Sequence, residues 1–273
     1  MLRWLQMLRQ RRGNGDSAIP DMLWNNTLAQ LPFLQTIGEE QLLPLRRLTQ
    51  AFLDNKEFHG ASGLQIRDDM AVAIAVQACL PVLHLQQPWR GIAWYDDFVG
   101  IVVYPGAMRA RRESLDENGV VHQYEEVLTG EAMQDGPVTL SWQDVADAGT
   151  SANEGYNVVI HEFVHKIDMR DGAADGCPPL PAGFMGTSGA SAARTLWHNT
   201  LHTHYLNFCD RLSMAERFGA KMPWLDAYGA SAIDEFFAVA SEAYFVNRAR
   251  FGAEFDGLLP LFDAFFRPRR LAE

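Results

Sequence analysis

The apolar positions along this chain change their period twice. From Gly38 to Leu53 they recur at helical spacing, and from Asp68 to Leu85 they include Met70, Val72, Ile74, Val76 and Leu80 in an alanine-rich run. Both stretches predict helices, the second buried on most sides. Glu57 to Ile66, between them, reads as a turn or short strand. The middle of the chain is different. Val99 to Tyr104 is a short β-branched run closed by Pro105, which predicts a buried strand. Arg109 to Gly119 is charged and turn-rich, and Val120 to Leu128 alternates loosely, as a half-exposed strand would. Gly136 to Trp142 predicts a further strand with Val138, Leu140 and Trp142 on one face. Helical spacing returns over Asn157–Met169, Ala190–Ala215, Ala232–Asn247 and Leu258–Phe266.

Helices, then strands, then helices point to an α+β arrangement and away from alternating βαβ units. Residues 1–20 read as a flexible lead-in, with Gly, Ser and Asp between Gly13 and Pro20. Residues 21–273 are expected to form a single domain, its N-terminal helical part over about 21–90 and its catalytic part over about 91–273. No internal repeat or low-complexity tract interrupts it.

Composition narrows the classes of function. Of 273 residues 48% are hydrophobic and 21% charged, which is ordinary for a globular chain with a sizeable core. The formal net charge of -11 lacks the basic excess a duplex-binding surface needs, so direct nucleic-acid binding is disfavoured. Cys79, Cys177 and Cys209 are too widely spaced for a disulfide framework or a cysteine zinc site, and read as reduced thiols of a cytoplasmic protein. Arginines interrupt the apolar residues of the first segment, so no secretory signal is expected there. No run reaches the ~20 apolar residues of a membrane span.

The informative segment is Val158-Val-Ile-His161-Glu162-Phe-Val-His165-Lys-Ile-Asp168, a His-Glu-x-x-His motif. Residues four apart leave a helix from the same face, so the imidazoles of His161 and His165 can converge on one ion. Glu162 then points at the open coordination position, where it can take a proton from attacking water and return it to the leaving amine. Three fixed positions alone are weak evidence. The apolar lead from Tyr156 to Ile160 strengthens them, because two histidines and a glutamate on a buried helix are costly without a metal or partners.

Catalytic zinc wants a third protein ligand. Asp171, six residues after His165, is one candidate, but the compact motif needs a glycine midway and Asp168 stands there. Glu235 is the other and is favoured. It lies on the strongly apolar stretch Tyr228–Phe245, on the same face as Glu242 seven residues on. Asp168, one turn after His165, reads either as the acceptor that orients a metal-bound imidazole or as an ordinary C-terminal-turn hydrogen bond. Glu242 reads either as the acceptor for His161 or His165 or as a partner of an arginine such as Arg248. A second helical pair, His198 and His202, is followed by no carboxylate and reads as surface or packing histidines. Gly136–Trp142 is a candidate for a cleft-side edge strand that pairs with substrate, or else an internal strand. Trp89, Trp94 and Tyr95 either form a lid or close the core.

These residues carry a resemblance. From about Leu31 to Phe245 the chain resembles the Mlc titration factor A family of bacterial peptidases, through Leu80–Leu83, Val103–Pro105, Gly136–Trp142, the motif helix with Lys166–Gly172, and Tyr228–Phe245. The last two blocks also look like the catalytic segments of anthrax lethal factor, a more distant relative. The resemblance implies a zincin-like fold of the gluzincin type, with N-terminal helices, a small mixed sheet and a helical C-terminal half. It implies one catalytic Zn2+ with Glu235 as third ligand, Tyr228 assisting at the transition state, and hydrolysis of peptide or protein substrates. Amino- and endopeptidase action both stay open. Members of that family are also described as binding the glucose-linked repressor Mlc. The resemblance therefore also implies an alternative, a titrant that sequesters an Mlc-like repressor, with peptidase activity secondary.

Overall fold

In the computed structural model the described residues are 18–115 and 121–268. The expected lead-in lies outside them except for residues 18–20, as does the end of the turn-rich stretch, residues 116–119.

The described residues open with three helices, α1 (Asp21–Gln30), α2 (Glu39–Asn55) and α3 (Asp68–Cys79). The apolar pattern did not foresee α1, which buries only Trp24 and Thr27 and so has no continuous apolar stripe to read. Every residue of α3 from Met70 to Cys79 is buried, in keeping with its nearly uniform apolar run. It stops six residues short of the expected Leu85, because Pro81 has no N–H to continue the ladder.

The sheet that borders the site has four strands: β1 (Glu57–Gly60), β2 (Gly100–Tyr104), β5 (Gly130–Ala132) and β6 (Val138–Ser141), in the order β1-β2-β6-β5. β1, β2 and β6 run parallel, and β5 pairs antiparallel with β6 at the edge. The parallel pair β1 and β2 enclose α3 in sequence, a single βαβ unit that the grouping into blocks did not predict. β3 (Met108–Leu115) and β4 (Val121–Leu128) form a separate antiparallel hairpin. Arg109–Leu115 is therefore strand and not turn. Pairing of backbone groups with β4 overrides a charged sequence of low strand propensity. Trp142 also leaves its expected place on the sheet. Ser141 Oγ accepts from the Asp144 N–H at 3.4 Å and caps α4 (Trp142–Ser151), so the strand ends one residue earlier.

The helical half comprises α5 (Val158–Asp168), α6 (Ala190–Phe218), α7 (Ile233–Val246), α8 (Arg248–Glu254) and α9 (Leu258–Phe266). α5 and α7 lie against each other in the interior, and α7 is buried from Phe236 to Val246. Phe163 anchors α5 on the face away from its histidines, with ring centroids 5.5 Å from Phe52 and 5.0 Å from Tyr95. Phe262, Phe265 and Phe266 of α9 pack on Trp197, Phe237 and Tyr244. Trp94 and Tyr95 are fully buried, and Tyr95 Oη donates to the Ala78 carbonyl at 2.9 Å; they close the core and form no lid. The whole is α+β with a small mixed sheet.

Candidate metal centre

Asn157 starts the motif helix. Its Oδ1 accepts from the Ile160 N–H at 2.9 Å, capping α5, and its Nδ2 donates to Gln77 Oε1 on α3 at 2.7 Å. Its own backbone N–H donates to Glu242 Oε2 on α7. One buried side chain and its amide thus fix three helices. An asparagine before an apolar helix carries the signal of a cap, but no local signal shows the tie to Glu242.

From that start, His161 and His165 leave α5 one turn apart, and Glu235 faces them from the first turn of α7. His161 Nε2, His165 Nε2 and Glu235 Oε2 stand 3.1 Å from one another on all three sides. They are the only such group of three among the described residues. Tetrahedral zinc with bonds of 2.0–2.1 Å needs ligand atoms about 3.3 Å apart, so the spacing suits the ion. The chemistry of the donors agrees. Glu242 Oε1 lies 2.7 Å from His161 Nδ1, which places a proton on Nδ1 and turns the Nε2 lone pair toward Glu235. A lone pair against a carboxylate at 3.1 Å repels unless a cation or a proton stands between them. The electrostatics carry the same message. Burial disfavours a charged His161, yet its hydrogen bonds to Glu235 and Glu242 outweigh burial and hold the imidazole well above its ordinary pKa. Burial would likewise raise Glu235, but the two imidazoles hold it well below the usual carboxylate range.

Glu162 is 5% exposed, lines the cleft beside the triangle, and makes no hydrogen bond to protein among the described residues. Burial lifts its pKa to about 7. Tyr228 stands at the mouth, 45% exposed, its backbone N–H donating to Asp226 Oδ1 at 2.9 Å and its hydroxyl to Glu235 Oε1 at 3.2 Å.

The other candidates sort by their partners. Asp171 bonds Arg194 at 3.2 Å and is outside the triangle. Arg248 pairs with Asp263, so Glu242 is left to His161 and Asn157. Asp168 makes no hydrogen bond to either imidazole. Its Oδ2 accepts from the Gly176 N–H at 2.8 Å, in the loop that returns beneath the end of α5, and its Oδ1 is buried without a partner. His198 and His202 are exposed and stacked at 5.4 Å, with no third ligand group among the described residues. β6 lies between β2 and β5, so it is internal, and the edge strand on the cleft is β5.

The cleft has a volume of about 650 Å³ and runs between β5, α5, α7 and the Tyr228 turn. Glu131, Glu154, Asp226 and Asp234 add carboxylates to its lining, which holds no lysine or arginine among the described residues. Cys79, Cys177 and Cys209 are all free thiols. No helix among the described residues is long and apolar enough to cross a membrane.

Two imidazoles on one helix, met by a carboxylate from a second helix beside a small mixed sheet, place the molecule among the zincin-like metallopeptidases. The chain belongs to the glucose-regulated metallo-peptidase M90 family, whose model matches residues 5–267. It is 32% identical over 255 residues to Mlc titration factor A of Cronobacter sakazakii, covering 93% of this chain and 89% of that protein. Mlc titration factor A of Salmonella arizonae is 32% identical over 248 residues, 90% of this chain and 91% of the relative. That of Klebsiella pneumoniae is 32% identical over 262 residues, 96% and 91%.

Proposed function

We propose that the chain hydrolyses peptide bonds as a zinc-dependent gluzincin, with His161, His165 and Glu235 holding one ion. The observation that carries this reading is the triangle of donor atoms with 3.1 Å sides. Zinc held there would supply Lewis acidity at a carbonyl and acidify water toward a pKa of about 7. Glu162 takes the proton of the attacking water and gives it to the leaving amine, a double task open to a carboxylate that lines the cleft beside the triangle. Tyr228 donates from its hydroxyl to the oxyanion that develops on the scissile carbonyl. Glu242 keeps the proton on His161 Nδ1 and so keeps Nε2 available as a ligand. Substrate lies extended along β5, the strand at the cleft-side end of the sheet, whose backbone groups pair with it. Three free thiols support a reducing, cytoplasmic setting.

Replacing Glu162 by Gln is the test. Stoichiometric zinc should remain while turnover of a chromogenic peptide falls by about 10²–10⁴-fold; undiminished turnover excludes Glu162 as base. The name of the relatives supports a second reading, in which the chain sequesters an Mlc-like repressor. Binding to such a repressor should survive His161→Ala if sequestration is independent of the metal.

A further inference from the structure

Gly130 lies in β5 opposite Leu140 of β6, in backbone that needs none of glycine's conformational freedom: its φ is not positive. A glycine in a strand costs stability and commonly marks a place where another group comes close. Here the close group is Glu162. A Cβ built on Gly130 would stand 2.3 Å from Glu162 Oε1 and 2.7 Å from both its Cδ and its Cγ. The carboxylate thus occupies the space where a side chain at position 130 would begin. No hydrogen bond to protein among the described residues holds it there, so packing against bare backbone sets its position.

We propose that Gly130 is a positioning residue, whose missing side chain forms the slot that fixes the Glu162 carboxylate beside the metal triangle. The role assigned to that carboxylate rests on the hydrolytic reading above; the contact itself does not. When the slot is filled, Glu162 yields and the strand does not, because β5 is tied down on several sides. The Ser141 N–H donates to the Thr129 carbonyl at 2.7 Å, and Thr139 Oγ1 donates to the Glu131 carbonyl at 3.2 Å. Lys166 Nζ, from α5 itself, donates to the carbonyls of Met133 at 2.9 Å and Gly136 at 3.3 Å, which holds the turn between β5 and β6. The hairpin is therefore referenced to the helix that carries Glu162, and a one-methyl intrusion displaces the carboxylate from the attacking water.

The experiment is a pair of double-mutant cycles on the full chain. In zinc-loaded protein, Gly130→Ala should leave metal stoichiometry unchanged and lower kcat on the order of 10²-fold, the cost of misplacing a reacting group by about 1 Å. In a Glu162→Ala background, which lacks the Cγ, Cδ and Oε1 atoms the new methyl would meet, the same change should leave the residual kcat unchanged. In metal-free protein, Gly130→Ala should lower Tm when Glu162 is present. With Glu162→Ala it should raise Tm, since the new methyl then has room and the strand loses its glycine. A Gly130→Ala enzyme with wild-type kcat, or an equal Tm change in both backgrounds, overturns the proposal. Wild-type protein without metal-dependent turnover would instead sink the hydrolytic reading, while the Tm cycle still decides the contact.

Discussion

His161 is clasped at both ring nitrogens by carboxylates of one helix, Glu242 behind it on Nδ1 and Glu235 in front on the Nε2 side. Glu242→Gln keeps the shape and removes the charge that makes the imidazole a strong ligand. Zinc affinity should fall by about 10–100-fold, measured by competition with a chromophoric chelator. Tyr228→Phe removes only a hydroxyl, so zinc content should hold while kcat drops about 10²-fold. At this scale the sequence is readable where the chemistry is local. His161, Glu162 and His165 announce themselves because four-residue spacing on a helix is a property of the chain alone. Glu235 was visible as a carboxylate stranded on an apolar helix. The contact of Gly130 with Glu162 and the tie from Asn157 to Glu242 were not visible, since the partners lie 32 and 85 positions away in sequence. Asp168 stayed open between two readings, because one helical turn after His165 suits an imidazole as well as it suits the loop amide of Gly176.

Between elements, Lys166 does for α5 what Phe163 does on its apolar side. It is fully buried, its ammonium 3.2 Å from Asp97 and bonded to two carbonyls of the β5–β6 turn, with Phe98 beneath it at 4.5 Å. Lys166→Met leaves Asp97 short of a buried partner and the turn untethered. A loss of about 3 kcal/mol is expected by urea unfolding, far more than an exposed pair would give. Helices with an apolar stripe, or apolar throughout like α3 and α7, were legible from period and composition. α1 and α4 were not: the first lacks a stripe, and the second hides behind a tryptophan that reads as strand. The cap signature Ser141-Trp-Gln-Asp144 was the available cue for α4. For β3 no such cue exists in residues 109–115, because what makes them a strand is pairing with the strand that follows and nothing within that stretch.

The α+β class of the whole molecule followed from the order of the blocks, whereas strand order and the choice of β5 as cleft edge depend on contacts that no window of sequence contains. Stability of the whole fold should carry the mark of the buried acid Asp168, alongside that of Glu162. Burial lifts Asp168 from 3.8 to about 7, only partly offset by the Gly176 N–H. The native state therefore keeps a proton that the unfolded chain releases between about pH 4 and pH 7. The sign follows. Stability from this group is complete below its unfolded pKa and is lost as pH rises through the folded one, on the order of 4 kcal/mol in all. Urea midpoints of metal-free protein should accordingly decline from about pH 5 to about pH 7.5, and Asp168→Asn should make that decline shallower, the remainder belonging to Glu162, which burial also lifts to about 7.

Glu242 lies seven positions after Glu235, and both reach the same imidazole ring. Each residue added to a helix turns everything beyond it by 100° and advances it by about 1.5 Å. Inserting or deleting a single residue between the two carboxylates would therefore swing one of them off His161, however conservative the residue. Length, more than composition, is what this stretch of α7 has to preserve, and variation by indel should be confined to the loops at its ends.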